Sequence, residues 1–215
     1  CRNPACPGFS TECCASLALP GHGTSPGDVL MTRRPYNKLL NFSWYQLLWF
    51  TAVLGGSSLE WVLALLLVMH LGLVSSRRRE AVLMAGVGII GATMDALLAS
   101  AGYFEFASAG LLPIPLWHVA IWVGFAGTLR HSMQFMVERP RLMTIGAAIF
   151  APLTYLAAQR MGAVVFPLGN LHTAMVISLC WLTVTPIMVW LTAIANGQTL
   201  RPVRRETISA NTQEI

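Results

Sequence analysis

The chain has 215 residues, 55% of them hydrophobic and only 11% charged, with a mean hydropathy of +0.60 and a formal net charge of +5. A water-soluble domain carries about 25% charged residues, so the polar surface here is too small to cover a soluble sphere and lipid is expected to cover much of it. A transmembrane barrel is excluded because its strands alternate in polarity over about ten residues, and nucleic-acid binding is excluded because the basic residues segregate between loops and do not form one face.

Residues Cys1–Leu30 differ from the rest: Cys1, Cys6, Cys13 and Cys14 stand among four prolines, with no long apolar run. The spacing C-x4-C-x6-C-C matches no zinc pattern and no histidine pair follows it. A lipid-modified Cys1 would sit outside the cytoplasm, against the charge pattern described below. The simplest expectation is that 1–30 is a non-native or disordered extension and that Met31 is the start. A membrane domain is then expected over 31–200, with a cytoplasmic tail at 201–215.

Six apolar segments follow: Leu39–Ser57, Ser58–Val74, Ala81–Tyr103, Leu111–Thr128, Leu142–Ala158 and Asn170–Ala195. A bilayer requires each segment to satisfy its own backbone hydrogen bonds, which predicts helices. Arg33, Arg34, Lys38, Arg77, Arg78, Arg79, Arg130, Arg139, Arg141, Arg201, Arg204 and Arg205 fall on one side of these spans, and Arg160 alone on the other. The positive-inside rule then places both termini in the cytoplasm. The expected fold is all-α, a polytopic bundle of six transmembrane helices with both termini in the cytoplasm.

Within the third segment, Gly86, Gly88 and Gly91 imitate a nucleotide-binding loop, but no strand precedes them and close helix packing explains them better. Pro152 and Pro186 are expected to bend the fifth and sixth segments. Trp44-x4-Trp49 resembles Trp117-x4-Trp122, as in an inverted repeat of three spans plus three; two tryptophan pairs are thin support, and chance explains them better.

Asp95 is the chemical anomaly, the one acidic residue in the apolar part of a span. Such a group is costly and marks a candidate functional site. At 1.5 Å per residue it lies about 5 Å outward of its segment's centre. His118 and Tyr155 fall at about the same depth in the fourth and fifth segments, so the three are expected to meet. Together they could relay a proton or act as acid and base, or form a hydrogen-bonded lock on the bundle. Asn41, Gln46 and Thr128 are expected to bridge helices. Arg130, His131 and Arg139 read as a basic rim for anionic headgroups. His70, His118 and His172 have no metal spacing, and H-E-x-x-H, G-x-S-x-G and P-loop motifs are absent, so neither a metal nor a cofactor is expected.

Several strings carry a family resemblance: Lys38-Leu-Leu-Asn-Phe-Ser-Trp-Tyr-Gln-Leu-Leu-Trp-Phe-Thr-Ala-Val-Leu-Gly55, Met94-Asp95, Pro115-Leu-Trp-His-Val-Ala-Ile-Trp-Val-Gly-Phe-Ala-Gly-Thr-Leu-Arg-His-Ser132, and Ala151-Pro-Leu-Thr-Tyr-Leu-Ala-Ala-Gln-Arg-Met-Gly-Ala163. Over nearly all of Met31–Ala195 the chain resembles the small bacterial inner-membrane proteins of domain-of-unknown-function family 2878. The matching positions include Asn41, Gln46, Trp49, Asp95, Trp117, Trp122, His131, Tyr155, Arg160 and Gly162. The family has no established activity. The resemblance implies an association with lipid-modifying and oxidoreductase enzymes, and it draws attention to Arg160 as a contact for an anionic headgroup, although a snorkelling arginine at a helix end explains it more simply.

Three functions remain open. The first is an enzyme or accessory protein for a lipid or other hydrophobic substrate, with Asp95, His118 and Tyr155 as catalytic candidates and Gln46, Trp117, Trp122 and Arg160 as substrate contacts. The second is a small proton-coupled transporter or flippase. The third is a structural partner of another membrane protein. The expected partners are the bilayer itself and lipid-modifying enzymes or another membrane protein, with no nucleic acid.

Overall fold

A computed structural model of the chain describes residues 37–106 and 113–197. The expectations for the extension 1–30, for the tail 201–215 and for the basic residues within them fall outside the described residues, as do Arg33 and Arg34. The described residues form seven α-helices: α1 (Lys38–Gly55), α2 (Glu60–Leu73), α3 (Arg77–Ser100), α4 (Leu116–Leu129), the single turn α5 (Gln134–Val137), α6 (Pro140–Arg160) and α7 (Asn170–Ala195). No strand occurs among them beyond one isolated bridge between Glu105 and Val165.

Local chemistry sets the boundaries. The Asn37 side chain accepts from the Leu39 amide at the start of α1, satisfying one of the amides that a helix leaves unpaired. Pro140 opens α6, where its missing N–H costs nothing. Four helical runs are long and apolar enough to cross a membrane: Lys38–Leu73, Arg77–Ser100, Pro140–Arg160 and Asn170–Ala195. The first of these, 36 residues long, is not straight. The Trp44 indole donates to the Leu66 carbonyl at 3.0 Å and stacks on His70. In an unbroken helix Trp44 and Leu66 would stand about 33 Å apart. The run therefore doubles back, through a 3-10 turn at Gly56–Leu59 entered by Gly56 at a φ of 52°. The reversal falls where the sequence divides its first two apolar segments, and it makes α1 and α2 a hairpin.

The six longer helices alternate in direction. Asn41, at the start of α1, donates to the Gly127 carbonyl at the end of α4. His70, Glu80, Arg130 and Asn196, from the ends of α2, α4 and α7 and the start of α3, meet at the same end of the bundle. Lys38, Arg77–Arg79, Arg139 and Arg141 lie at this end too, and Arg160 lies at the other. At that other end α3 and α6 finish in the same way: Gly102 and Gly162 take φ values of 82° and 81°, and the three amides around each bond back to the last turn in the same pattern. The chain then extends, and Glu105 and Val165 exchange both backbone hydrogen bonds, at 3.0 and 2.9 Å.

Glu105 and Val165 have the same sequence separation, 60, as Asp95 and Tyr155. A reciprocal bridge between equivalent residues is what a local two-fold axis produces. The α3–α4 and α6–α7 hairpins thus form a parallel repeat about that axis. The first members of the two tryptophan pairs differ in environment: Trp44 donates to Leu66 and stacks on His70 of α2, whereas its counterpart Trp117 packs edge-on against Phe106 and His118.

Burial is concentrated between helices, and Leu39, Leu65, Leu97, Ile149 and Leu171 face outward. Where lipid is the solvent, helices associate through close packing and polar contacts. At Gly88 an added Cβ would stand 2.7 Å from Val123, and at Gly91 it would enter the Trp122 ring. At Gly86 the nearest atom would be 3.9 Å away. Gly91→Ala is therefore expected to lower stability by about 2 kcal/mol through overpacking, and Gly86→Ala to change it by less than about 0.5 kcal/mol. Unfolding in mixed detergent micelles measures both. Equal effects at the two positions would contradict the assigned α3–α4 crossing.

Candidate functional site

Asp95 sits about one and a half turns before the end of α3 and is fully buried. Its Oδ2 accepts three hydrogen bonds: from the Trp122 indole at 2.6 Å, from His118 Nε2 at 2.7 Å and from the Tyr155 hydroxyl at 2.7 Å. The expected meeting of Asp95, His118 and Tyr155 at one depth is what the structure contains, and Trp122 joins them. Three donors from α4 and α6 on one carboxylate oxygen match an acceptor-only anion. The other oxygen, Oδ1, is buried with no hydrogen-bond partner among the described residues.

With Asp95 as a carboxylate, the hydrogen on Nε2 points at it and Nδ1 is the basic nitrogen of the ring; no described residue hydrogen-bonds to Nδ1. A carboxylate that orients a histidine in this way holds one tautomer and stabilises the imidazolium formed when the ring takes up a proton. The extended segment after α3 closes the cluster from above. Phe104 stacks on Tyr155 with ring centroids 5.4 Å apart, and Phe106 packs on His118 at 5.1 Å. From below, Trp122 stacks on Trp181 of α7 at 5.0 Å.

His118, Tyr155 and Trp122 form part of the wall of a cleft of about 510 Å³ bounded by α1, α4 and α6. The opening falls where the two-fold repeat is broken. α3 packs along α7, but the equivalent pair, α6 and α4, make little backbone contact. The gap is lined by aromatic and aliphatic side chains, among them Tyr45, Trp49, Trp117, Phe125, Met143 and Phe150. It runs along α6 from Met143 to Ala158, about 22 Å at the helical rise.

Gln46, Trp117 and Trp122, the expected substrate contacts, all line this cleft. Arg160 does not; it is exposed in the last turn of α6. Of the expected helix bridges, Asn41 uses its whole amide, donating to Gly127 and accepting from both the Ser132 amide and hydroxyl. The Thr128 hydroxyl turns back to Phe125 of its own helix.

A second buried carboxylate, Glu80, is absent from the sequence-derived site. It lies in the first turn of α3 with no exposed surface. Its Oε2 accepts from Arg130 at 2.7 Å, and its Oε1 faces Nε2 of His70 and of His131, each at 3.3 Å. Arg130 and His131, expected on a basic rim, thus turn inward.

Fold and site together define a class: a helical protein with apolar helices of membrane-crossing length, built around a buried acid whose three hydrogen-bond partners line a cleft of about 510 Å³. The chain belongs to the family described as "Protein of unknown function (DUF2878)", whose model matches residues 38–187. No curated protein and no solved structure matches it.

A single partner of Asp95 should carry less weight than the acid itself. Tyr155→Phe removes one hydrogen bond inside the membrane region and is expected to cost about 1 kcal/mol. Asp95→Asn leaves an amide facing three donors and is expected to cost about 3 kcal/mol. Reversible unfolding in detergent with tryptophan fluorescence as readout compares them. A Tyr155→Phe variant less stable than Asp95→Asn would contradict the central place given to the carboxylate.

Proposed function

We propose that this protein is a six-span integral protein of the bacterial inner membrane, with both termini in the cytoplasm, that handles a lipid. In this reading one long hydrophobic chain enters the cleft sideways from the bilayer, and a polar or unsaturated group along it meets Asp95, His118 and Tyr155. The single observation that carries the reading is the aromatic cleft between α1 and α6 with this cluster in its wall.

The size is suitable. A volume near 510 Å³ falls in the usual range for small-molecule sites, about 300–1,000 Å³. A length of about 22 Å accommodates an extended acyl or isoprenoid chain. α2 and α4 have 14 residues each, about 21 Å against a hydrocarbon core of about 30 Å, so their flanking turns complete those two spans. The collection of described cations at one end supports the orientation.

The cluster supports proton handling. Asp95 orients His118, and the Tyr155 hydroxyl supplies a second exchangeable proton on the same oxygen. An enzyme acting on the lipid and an accessory protein that holds it for a lipid-modifying partner both use these features. Transport is the second reading, and the cleft's extent from one end of the bundle to the other favours it.

Ala147 lines the cleft on α6, and tryptophan there would fill it. In native mass spectrometry of the detergent-purified protein, the wild type is expected to carry lipid. A photoactivatable fatty-acyl probe is expected to label residues of α1, α4 and α6. Ala147→Trp should reduce both signals several-fold while the helix content is unchanged. Labelling of the wild type that Ala147→Trp does not diminish, or a wild type that takes up neither lipid nor probe, would remove the basis for the cleft as a lipid site.

A further inference from the structure

The chemistry at the opposite end of the bundle is independent of the lipid cleft. His70 is in the last turn of α2, Glu80 in the first turn of α3, and His131 in the turn that follows α4. Nothing local joins them, yet Nε2 of each imidazole lies 3.3 Å from one atom, Glu80 Oε1.

That distance is long for a charge-assisted hydrogen bond, which lies at about 2.7–2.9 Å. It agrees with the separation of two ligand atoms on a tetrahedral zinc ion. With bonds of about 2.0–2.1 Å, neighbouring ligands stand about 3.3–3.4 Å apart. One ligand atom from each of the three residues lies within 4.8 Å of the others. Two imidazoles and one carboxylate form a ligand set that zinc uses where one coordination position stays open. Imidazole donors also favour a first-row transition ion over magnesium or calcium.

The surroundings hold these donors in place. Arg130 binds Glu80 Oε2 at 2.7 Å and is itself held by Asn196 at 2.8 Å. The carboxylate is thereby turned so that Oε1 alone faces the histidines, as outer partners of metal ligands commonly do. Trp44 lies flat against the His70 ring, centroids 4.4 Å apart, and is anchored by its own bond to Leu66. Gly127 gives the ring room, since a Cβ there would stand 2.9 Å from Nε2. A polar cavity of about 270 Å³, lined by Glu80, His131, Ser75, Ser76 and Gln134 together with the cations Lys38 and Arg130, reaches the cluster and gives an entry path and space for a fourth ligand.

The geometry points to a Zn²⁺ site formed by His70 Nε2, Glu80 Oε1 and His131 Nε2, with the fourth position facing this cavity. The alternative use of the same residues is a metal-free ion-pair network that ties α2, α3, α4 and α7 together.

Zinc alone is the probe that separates the two. The full chain, purified in detergent and stripped with a chelator, is titrated with Zn²⁺ against a chromogenic competitor, and bound metal is counted by mass spectrometry. The wild type is expected to bind one zinc per chain. Glu80→Gln and His131→Ala are each expected to weaken binding by at least about 100-fold, with helix content and elution volume unchanged. His131 is partly exposed, so His131→Ala keeps the test decisive if Glu80→Gln does not fold. Cobalt in place of zinc is expected to give the intense visible absorption of a four-coordinate ion. A wild type that binds no more zinc than a folded His131→Ala variant overturns the proposal and leaves the ion-pair network.

Discussion

One buried oxygen organises this molecule. Asp95 Oδ2 receives hydrogen bonds from two residues of α4 and one of α6, so three helices are tied at a point where lipid supplies no alternative partners. Leaving such a carboxylate unpaired would be expensive, and pairing it fixes the rotation of each helix about its own axis. The close α3–α4 crossing at Gly88 and Gly91 is part of the same arrangement, because Gly91 gives the Trp122 ring the space from which its indole reaches the acid. Structural and chemical roles are therefore carried by the same contacts: what locks the bundle also sets the tautomer of His118.

The repeat gives this arrangement its asymmetry. Asp95 and Tyr155 are equivalent positions in two parallel hairpins, and they bond to each other across the local axis, as do Glu105 and Val165. Perfect symmetry would pack α6 on α4 as closely as α3 packs on α7. The chain leaves that contact open and lines the gap with aromatic side chains, so the cleft arises where the repeat is broken, beside the one polar group that the repeat brings to the axis. At the other end, where the cations gather, Glu80 plays a comparable part by holding His70, Arg130 and His131.

Much of the architecture was legible because hydropathy acts locally. The division between the first two apolar segments coincides with the turn at Gly56–Leu59, although the helical run continues through it. The fourth segment was drawn from Leu111, but its helix starts at Leu116, after Pro113 and Pro115. The depth of Asp95, His118 and Tyr155 was readable because helical rise is constant. Glu80 was not, because Arg77-Arg78-Arg79-Glu80 looks like a solvated charge run. Its burial depends on the turn after α4, fifty residues away. The parallel repeat escaped notice for a similar reason: the hairpins share backbone conformation at Gly102 and Gly162 but little side-chain identity. Arg160 attracted attention as an isolated cation, and its place in the last turn of α6 keeps it outside the cleft.

In the proposed reading the Asp95 cluster acts on, or selects, a lipid held in the cleft. The most direct test is a comparative lipid profile of cells lacking the gene, restored with the wild type or with Asp95→Asn expressed at equal level in the membrane. The account predicts a lipid species that changes on deletion, returns with the wild type and does not return with Asp95→Asn. A profile that Asp95→Asn restores as fully as the wild type would contradict it, and would leave the carboxylate as a lock on the bundle.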